Sequence, residues 1–554
     1  MKIRFCGATT GVTGSCHLLI TEKHKVLLDC GQFQGGKEEE KKNWEPFPFD
    51  AKEIDAVILS HAHIDHCGRL PLLVKRGFTG DIYCTDATKD LLKVMLLDSA
   101  FIHEKDAEMQ SKRNRREGKE EVEPLYTEKD ANETLKLVKP ILYDQLVTLN
   151  DEMSIVFNDA GHILGSAISE IWVNENGKTS KIVFSGDLGV VNRPILRDPK
   201  KIKKADYVIM ESTYGNRLHP KNSTSIDELV NITINTVKRG GSVIIPSFAV
   251  GRTQELIFQF NMFYEHHPEL KEILEKVDVY IDSPMATSAT EVFQNNASVF
   301  DEETKKYILE GDNPLDFPNL KFTRNTQESQ SLNELMTPHI IISASGMCEA
   351  GRIRHHLKHN LWDPKNSIVF VGYQAEGTLG RMLLEGVKEV KLFGEKIVVG
   401  AEIHNLEGFS GHADQYGLLD WLSGFTVKPK KVFLVHGEEQ SKVDLAKEIK
   451  SKFDFDVNIL FSNTEIELET GDIISQDEVI KEAIKLEDID ELKEKVSDIG
   501  KDVQNILSNT NKAIKKDISP EKLLEINNII KELERATINL GSTVTKEDRN
   551  EKEE

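Results

Sequence analysis

A chain of 554 residues is too long for one hydrophobic core, so two or three domains are expected. With 39% hydrophobic and 29% charged residues, 36 Gly and 17 Pro, the composition excludes collagen-like, low-complexity and disulfide-scaffold classes. The net charge of −22 argues against a basic sheath around nucleic acid, because phosphate affinity comes largely from Lys and Arg. It leaves room for a local positive groove, or for metal ions inside an acidic shell.

The first residues run from Met1–Cys6 into Gly and Thr without an apolar h-region, so no signal peptide is expected. No apolar run reaches the roughly 18–20 residues that span a bilayer. Six Cys without a C-x-x-C pair fit reduced thiols and a cytoplasmic location. Short apolar, β-branched runs alternate with helical stretches, which predicts layered α/β structure. In chain order the runs are Lys25–Leu28, Ala56–Leu59, Ser154–Phe157, Lys181–Phe184, Val208–Met210, Ser242–Ile245, Val277–Ile281, Ile340–Ile342, Ile368–Val371 and Val432–Val435. Most lead directly into Gly, Asp, His or Ser, the positions where α/β enzymes place their chemistry. A long polar helix is predicted over residues 86–118. Its basic end, Ser111–Arg116, reads as a solvated helix terminus or, less simply, an RNA contact.

From residue 477 strand-like runs vanish and a helical appendix is predicted. Ile489, Leu492, Val496, Ile499, Val503 and Ile506 repeat with the spacing of a coiled-coil seam. Ser519-Pro520-Glu521 opens a second helix carrying Leu523, Ile526, Ile530 and Leu533. So short a seam is marginal alone in water, and a homodimer is the expected partner surface.

The stretch from Ser60 to Pro71, SHAHIDHCGRLP, follows a predicted strand and holds three imidazoles and a carboxylate within six residues. His61 and His63, two apart on an extended loop, can reach one Zn²⁺, and Asp65 with His66 can reach a second. Two ions need further ligands. His162, Asp187 and His436 each stand just beyond an apolar run and are the candidates.

His-x-His-x-Asp-His with a downstream His, Asp and His resembles the metallo-β-lactamase fold pattern. The resemblance implies an αββα sandwich with two metals, one held by His61, His63 and His162, the other by Asp65, His66 and His436, and both by a bridging Asp187. Asp29, in Leu28-Asp-Cys-Gly31, then orients a ligand from behind. The long interval between Asp187 and His436 carries its own strands and helices. Its landmarks are Glu211-Ser-Thr-Tyr-Gly215, Pro246-Ser-Phe-Ala-Val-Gly-Arg252, Ser343-Ala-Ser-Gly-Met347 and Gly372-Tyr-Gln-Ala-Glu-Gly-Thr378, followed by Gly408-Phe-Ser-Gly-His412.

This set is similar to the β-CASP nucleases, most of all the cleavage and polyadenylation specificity factor endonuclease branch and its prokaryotic relatives. That similarity implies a metallo-β-lactamase domain (1–210 and 401–476) interrupted by a β-CASP domain (211–400), with 477–554 outside. It also implies an active site in the cleft between the two halves, and single-stranded RNA as substrate. The family's A, B and C motifs fall on Glu211, His412 and His436, and His in the last position favours RNA over the DNA-repair branch.

The chemistry points the same way. Hydrolysis of a phosphodiester needs a water nucleophile at neutral pH, charge neutralisation and a proton for the leaving oxygen. Two metals supply the first two, and a histidine supplies the third. The candidate catalytic side chains are Asp65, Glu211 and His412, with His412 as general acid and Glu211 as its partner. The competing readings are a strand-end cap for Glu211 and a further metal ligand for His412. Ser343, Ser345, Gly346, Arg352, Ser410 and Gly411 are candidate phosphate contacts, Ser345–Gly351 forming a Gly-rich turn ahead of a helix that carries Arg352, Arg354, His355 and His356. His24, His103, His219 and His404 read as structural. The expected cofactors are two Zn²⁺ ions, with Mn²⁺ accepting similar ligands. The alternative is a catalytically silent RNA-processing scaffold, which loss of a ligand would favour; none is lost. Single-stranded DNA stays open as a substrate, as does endonucleolytic against 5′-exonucleolytic cleavage.

Overall fold

The apolar runs all form strands, and their alternating side chains explain why the runs are unbroken. In Lys178–Phe184, Ile182 and Phe184 face one core while Val183 faces another; in Tyr207–Glu211, Tyr207 and Ile209 likewise oppose Val208 and Met210. A strand covered on both faces carries no polar positions to break the run. The computed structural model describes residues 1–475 except 220–221, 375–376 and 461–462. The coiled-coil seam expected after residue 477 lies outside the described residues.

Met1–Gln476 forms one compact unit in which two mixed sheets pack face to face. One has eight strands, with Lys25–Leu28, Ala56–Ile58 and Asp81–Thr85 adjacent and parallel. The other has seven, with Lys178–Phe184, Tyr207–Glu211 and Lys431–Val435 adjacent and parallel. Val26, Leu28 and Ile58 from the first sheet meet Phe157, Phe184 and Phe433 from the second. Helices cover the outer faces, Leu70–Lys75 and Asp86–Glu117 on one side, Gln415–Leu422 and Glu439–Phe453 on the other. This is the αββα sandwich of the metallo-β-lactamase fold.

The chain between the strands Tyr207–Glu211 and Lys431–Val435 builds a six-stranded, wholly parallel sheet with helices on both faces. Its edge strand Glu402–Asn405 pairs with Ser367–Phe370, so the insertion reaches beyond residue 400, where the sequence reading ended it. The short run Ile403–Asn405 had too little apolar character to reveal a strand. Among the described residues, no helix is long and apolar enough to cross a membrane.

The long helix Asp86–Glu117 starts at Thr85, whose side chain caps Thr88 N, and stops at Gly118 in the left-handed region. Its basic end supports the solvated reading: Lys112 pairs with Glu108, Arg115 with Glu121, and all are exposed. The start of this helix also positions the site, since the Thr85 and Thr88 hydroxyls both donate to the Gly165 carbonyl in the loop that carries His162.

Candidate metal centre

Parallel strands end on one edge, and that geometry gathers the site. Ala56–Ile58 leads to His61, Met153–Asp159 to His162, Lys178–Phe184 to Asp187, and Lys431–Val435 to His436. Beyond Ile58 the chain turns into the one-turn helix Ile64–Cys67, which brings His63, Asp65 and His66 back to the same edge. That turn is wrapped by Asp29–Gln32: Cys30 N–H donates to the His66 carbonyl and Gln32 N–H to that of Ile64. A Cβ on Gly31 would sit 1.5 Å from the Asp65 carbonyl oxygen, so only glycine allows this approach. Asp29 and His436 both take left-handed backbone angles, φ 60° and 50°. Such angles are uncommon outside glycine, and here hydrogen bonds hold both residues: Asp29 N–H to Ile58, His436 N–H to Ala8.

The ligating atoms fall into groups around Asp187. His63 Nδ1 lies 3.1 Å from both His61 Nε2 and His162 Nε2, while Asp187 Oδ2 is 3.5 Å from the first ring and 3.6 Å from the second. On the other side His66 Nε2 is 3.2 Å from His436 Nε2 and 3.2 Å from Asp187 Oδ2, and Asp65 Oδ2 is 3.3 Å from His436 Nε2. The side chains of His61, His66, His162, Asp187 and His436 are buried; His63 and Asp65 are partly so.

What lies behind the rings fixes which nitrogen faces inward. His66 Nδ1–H donates to Asp29 Oδ2 at 2.7 Å, and Asp29 also accepts from Ser15 Oγ, Ser60 Oγ and Ser60 N. His162 Nδ1–H donates to the Gly411 carbonyl, His61 Nδ1 meets Ser60 Oγ, and His436 Nδ1–H donates to Thr213 Oγ1. With Nδ1 engaged behind, the Nε2 atoms of these four rings turn inward.

Burial, reinforced by neighbouring imidazoles, pushes His61 and His162 well below the ordinary range and His63 down to about 4. These rings are neutral at pH 7. For His66 burial acts downward too, but the Asp187, Asp65 and Asp29 carboxylates outweigh it and raise the ring well above the ordinary range. Asp187 resists its burial, held well below the usual carboxylate range by His436, His66 and His412, and its Oδ1 has no hydrogen-bond partner.

Three ring nitrogens gathered within about 3 Å beside an acid can be satisfied by one shared proton only in part, and by a cation among them in full. A tetrahedral Zn²⁺ shell with bonds of about 2.0–2.1 Å spaces its ligand atoms about 3.3 Å apart, close to the separations found here. The donor set therefore fits metal ions.

A third group flanks these two. His412 Nδ1–H donates to Glu211, 3.2 Å from Oε2, and lies 3.9 Å from Asp187 Oδ2. Glu211 also accepts from Leu188 N–H, next to Asp187. The His412 segment is docked by Ala413 N–H donating to the Leu188 carbonyl, and by His219 Nε2–H donating to the carbonyl of His412 itself. Burial lowers the His412 ring, yet Glu211 and Asp187 together raise it to about 9. Its side chain is 22% exposed, unlike the buried ligands, so it fronts the cleft.

The phosphate candidates fare differently. Ser343 Oγ is buried and donates to the Asp282 carbonyl; Arg352 is bound to Asp282 and Thr323; and Ser345 Oγ donates to the Ala350 carbonyl. Gly346 gives its carbonyl to Gln374. Gly411 serves through its carbonyl on His162, and Ser410 sits beside Tyr214 on the cleft wall. The neighbours His355 and His356 are engaged as well, one stacked on Phe393 and the other bound to Asp282. Sequence reasoning missed Ser15, Ser60 and Thr213, whose hydroxyls act behind the ligands; His219, read as structural, holds the His412 carbonyl. For Ser60 and Thr213 the only signal was adjacency to His61 and to Glu211-Ser212.

Comparison with known proteins places this geometry. Residues 18–188 match a metallo-β-lactamase superfamily domain, 253–383 a β-CASP domain, and 396–460 a Zn-dependent metallo-hydrolase RNA specificity domain. The chain is 39% identical over 447 residues to Ribonuclease TTHA0252 of Thermus thermophilus, covering 81% of this chain and 95% of that one. It is 33% identical over 471 residues to the transcription termination factor FttA of Methanosarcina mazei, covering 83% and 70%. The FttA of Pyrococcus horikoshii is 34% identical over 473 residues, with 82% and 69% covered. With matched domains in this order and the ligand groups at the sandwich edge, the chain belongs to the β-CASP family of metallo-β-lactamase-fold hydrolases.

Proposed function

We propose that this protein is a ribonuclease that hydrolyses phosphodiester bonds in single-stranded RNA, using two divalent ions, Zn²⁺ in the first place. The observation that carries the reading is the pair of ligand groups, His61/His63/His162 and Asp65/His66/His436, facing each other across Asp187 with His412 at their flank. The ribonuclease relative and the RNA specificity domain support RNA as the polymer. Two bound cations supply a water nucleophile at neutral pH and offset charge on the non-bridging phosphate oxygens.

The chain's own residues do the rest. Asp29, Ser60, Thr213 and the Gly411 carbonyl hold the ligand rings in register. His412, kept protonated by Glu211, presents Nε2–H to the leaving oxygen and donates its proton as the P–O bond breaks. Six reduced, buried thiols fit a cytoplasmic enzyme. The heptad-spaced aliphatics at 489–506 support a homodimer, in which case truncation after Gln476 lowers the mass seen by light scattering while turnover of short RNA persists.

Digestion of 5′-labelled and 3′-labelled RNA, beside matched duplex RNA and single-stranded DNA, tests the assignment and reads endo- or exonucleolytic mode from the fragments. The expected result is single-stranded RNA cut fastest, with a rate that falls as salt rises. RNA left intact, or duplex cut as fast as the single strand, contradicts it.

A further inference from the structure

Beside His412 a cavity of about 370 Å³ opens between the sandwich and the insertion, within the range of roughly 300–1,000 Å³ usual for small-molecule sites. Tyr214 and Arg217, just after the strand Tyr207–Glu211, line it together with Ser410 from the His412 segment, and Tyr373, Gln374 and Glu385 line the opposite wall. Three features set its chemistry. The Arg217 guanidinium lies 5.0 Å from the Tyr214 ring and 5.7 Å from the Tyr373 ring, so it joins the two walls through flat faces rather than through a carboxylate. Among the described residues Arg217 makes no ion pair. Tyr373 keeps 39% of its surface exposed, an aromatic ring left open at the cavity mouth. Gln374 is a buried, rigid floor for the cavity: its Nε2 is spent on the Gly346 and Gly372 carbonyls, and its Oε1 is packed against Gly380.

An anion fits this cavity poorly, because Glu385 stands on its wall and draws Arg381 to itself. A flat neutral ring fits well, because it can stack on the exposed Tyr373 ring and the Arg217 guanidinium. Tyr214 ties the cavity to the reacting centre, with its ring 6.0 Å from that of His412.

We propose that this cavity is a nucleobase subsite, in which Tyr373 and Arg217 stack the base of a nucleotide flanking the scissile phosphate. The proposal rests on the ribonuclease reading above. Each of the four RNA bases has a flat π face, so the subsite holds a base by stacking without choosing its identity, and it admits only an unpaired one.

The test is steady-state cleavage of a single-stranded RNA by the full-length, metal-loaded protein, with one abasic position walked along the strand. Wild type should lose about tenfold in kcat/KM at a single position next to the cut, the scale of one base stack. Tyr373→Ala should lose a similar factor on intact RNA and become indifferent to the abasic site at that position. Tyr373→Phe, which keeps the ring, should restore both the rate and the sensitivity. A wild type that cuts RNA yet tolerates an abasic site everywhere overturns the subsite and leaves the ribonuclease reading standing. Equal loss by Tyr373→Ala on intact and abasic strands also overturns it. A wild type that cuts no RNA removes both.

Discussion

Two buried carboxylates close parallel strands here, and their surroundings differ in kind. Asp282 follows Val279–Ile281 in the insertion and accepts hydrogen bonds from Thr323, Ser329, Arg352 and His356. Every lone pair it offers meets a proton, and the guanidinium balances its charge. Asp187 follows Lys178–Phe184 in the sandwich and stands among His61, His66, His162, His412 and His436, with Oδ1 unpartnered. There Ser60, Gly411, Thr213 and Asp29 engage the Nδ1 atoms of His61, His162, His436 and His66 on the far side, so their Nε2 atoms are turned toward the centre. The same residue types at the same kind of strand exit therefore make a closed structural knot in one place and an open ligand set in the other. The direction of the protons separates the two.

That contrast predicts a ranked set of effects. The largest is expected for Asp187→Asn, which should drop cleavage to background and bound metal below one ion per chain, because the carboxylate that stands next to both ligand groups is lost. Metal analysis beside the RNA assay reads both, and a variant that keeps two ions would break the comparison.

His412→Ala should lower kcat by about 10²–10⁴ with metal content unchanged. Metal loss equal to that of His436→Ala would instead make His412 a ligand.

Asp29→Asn should weaken metal affinity by about 10–100-fold, as expected for a partner behind a ligand ring, with the fold intact. Competition with a chelator measures it, and unchanged affinity would show that Ser60 and Ser15 hold His66 without the carboxylate.

Asp282→Asn should leave metal content and short-RNA turnover near wild type. It should cost stability instead, about 3–5 kcal/mol for a broken buried ion pair. Loss of metal on this change would erase the distinction between the two carboxylates.

The smallest effect is a shift in pH profile. His412 acts as the protonated form, and Glu211 and Asp187, against burial, raise its proton affinity to about 9. The acid is thus present through neutral pH and is lost as pH rises through that value. Glu211→Gln removes a negative neighbour, so the alkaline limb of kcat should move to lower pH; an unmoved limb would detach Glu211 from His412.

The same contrast explains what could be read from sequence. The His61–His66 group was legible because its spacing is local, and His162, Asp187 and His436 because each follows an apolar strand. Arg352 misled because its partner, Asp282, is 70 residues away, and no spacing rule reports such a pairing. Ser60 and Thr213 stayed hidden because a hydroxyl beside a strand end is ordinary until a ring turns toward it. His219 read as structural, and the structure shows its ring on the His412 backbone. Among the strands, the sandwich core announced itself by unbroken apolar runs covered on both faces. The edge strands Glu402–Asn405 and Ile473–Ser475, with mostly exposed side chains, gave no such signal.

The central claim is that lone pairs converging on Asp187 hold two cations that hydrolysis requires. Titration of the chelator-stripped, full-length protein with Zn²⁺, following RNA cleavage and bound metal together, tests it most directly. The account predicts no cleavage without metal, and full rate only as occupancy reaches two ions per chain. Full-rate hydrolysis by the stripped protein, or a rate that saturates at one ion, would contradict it.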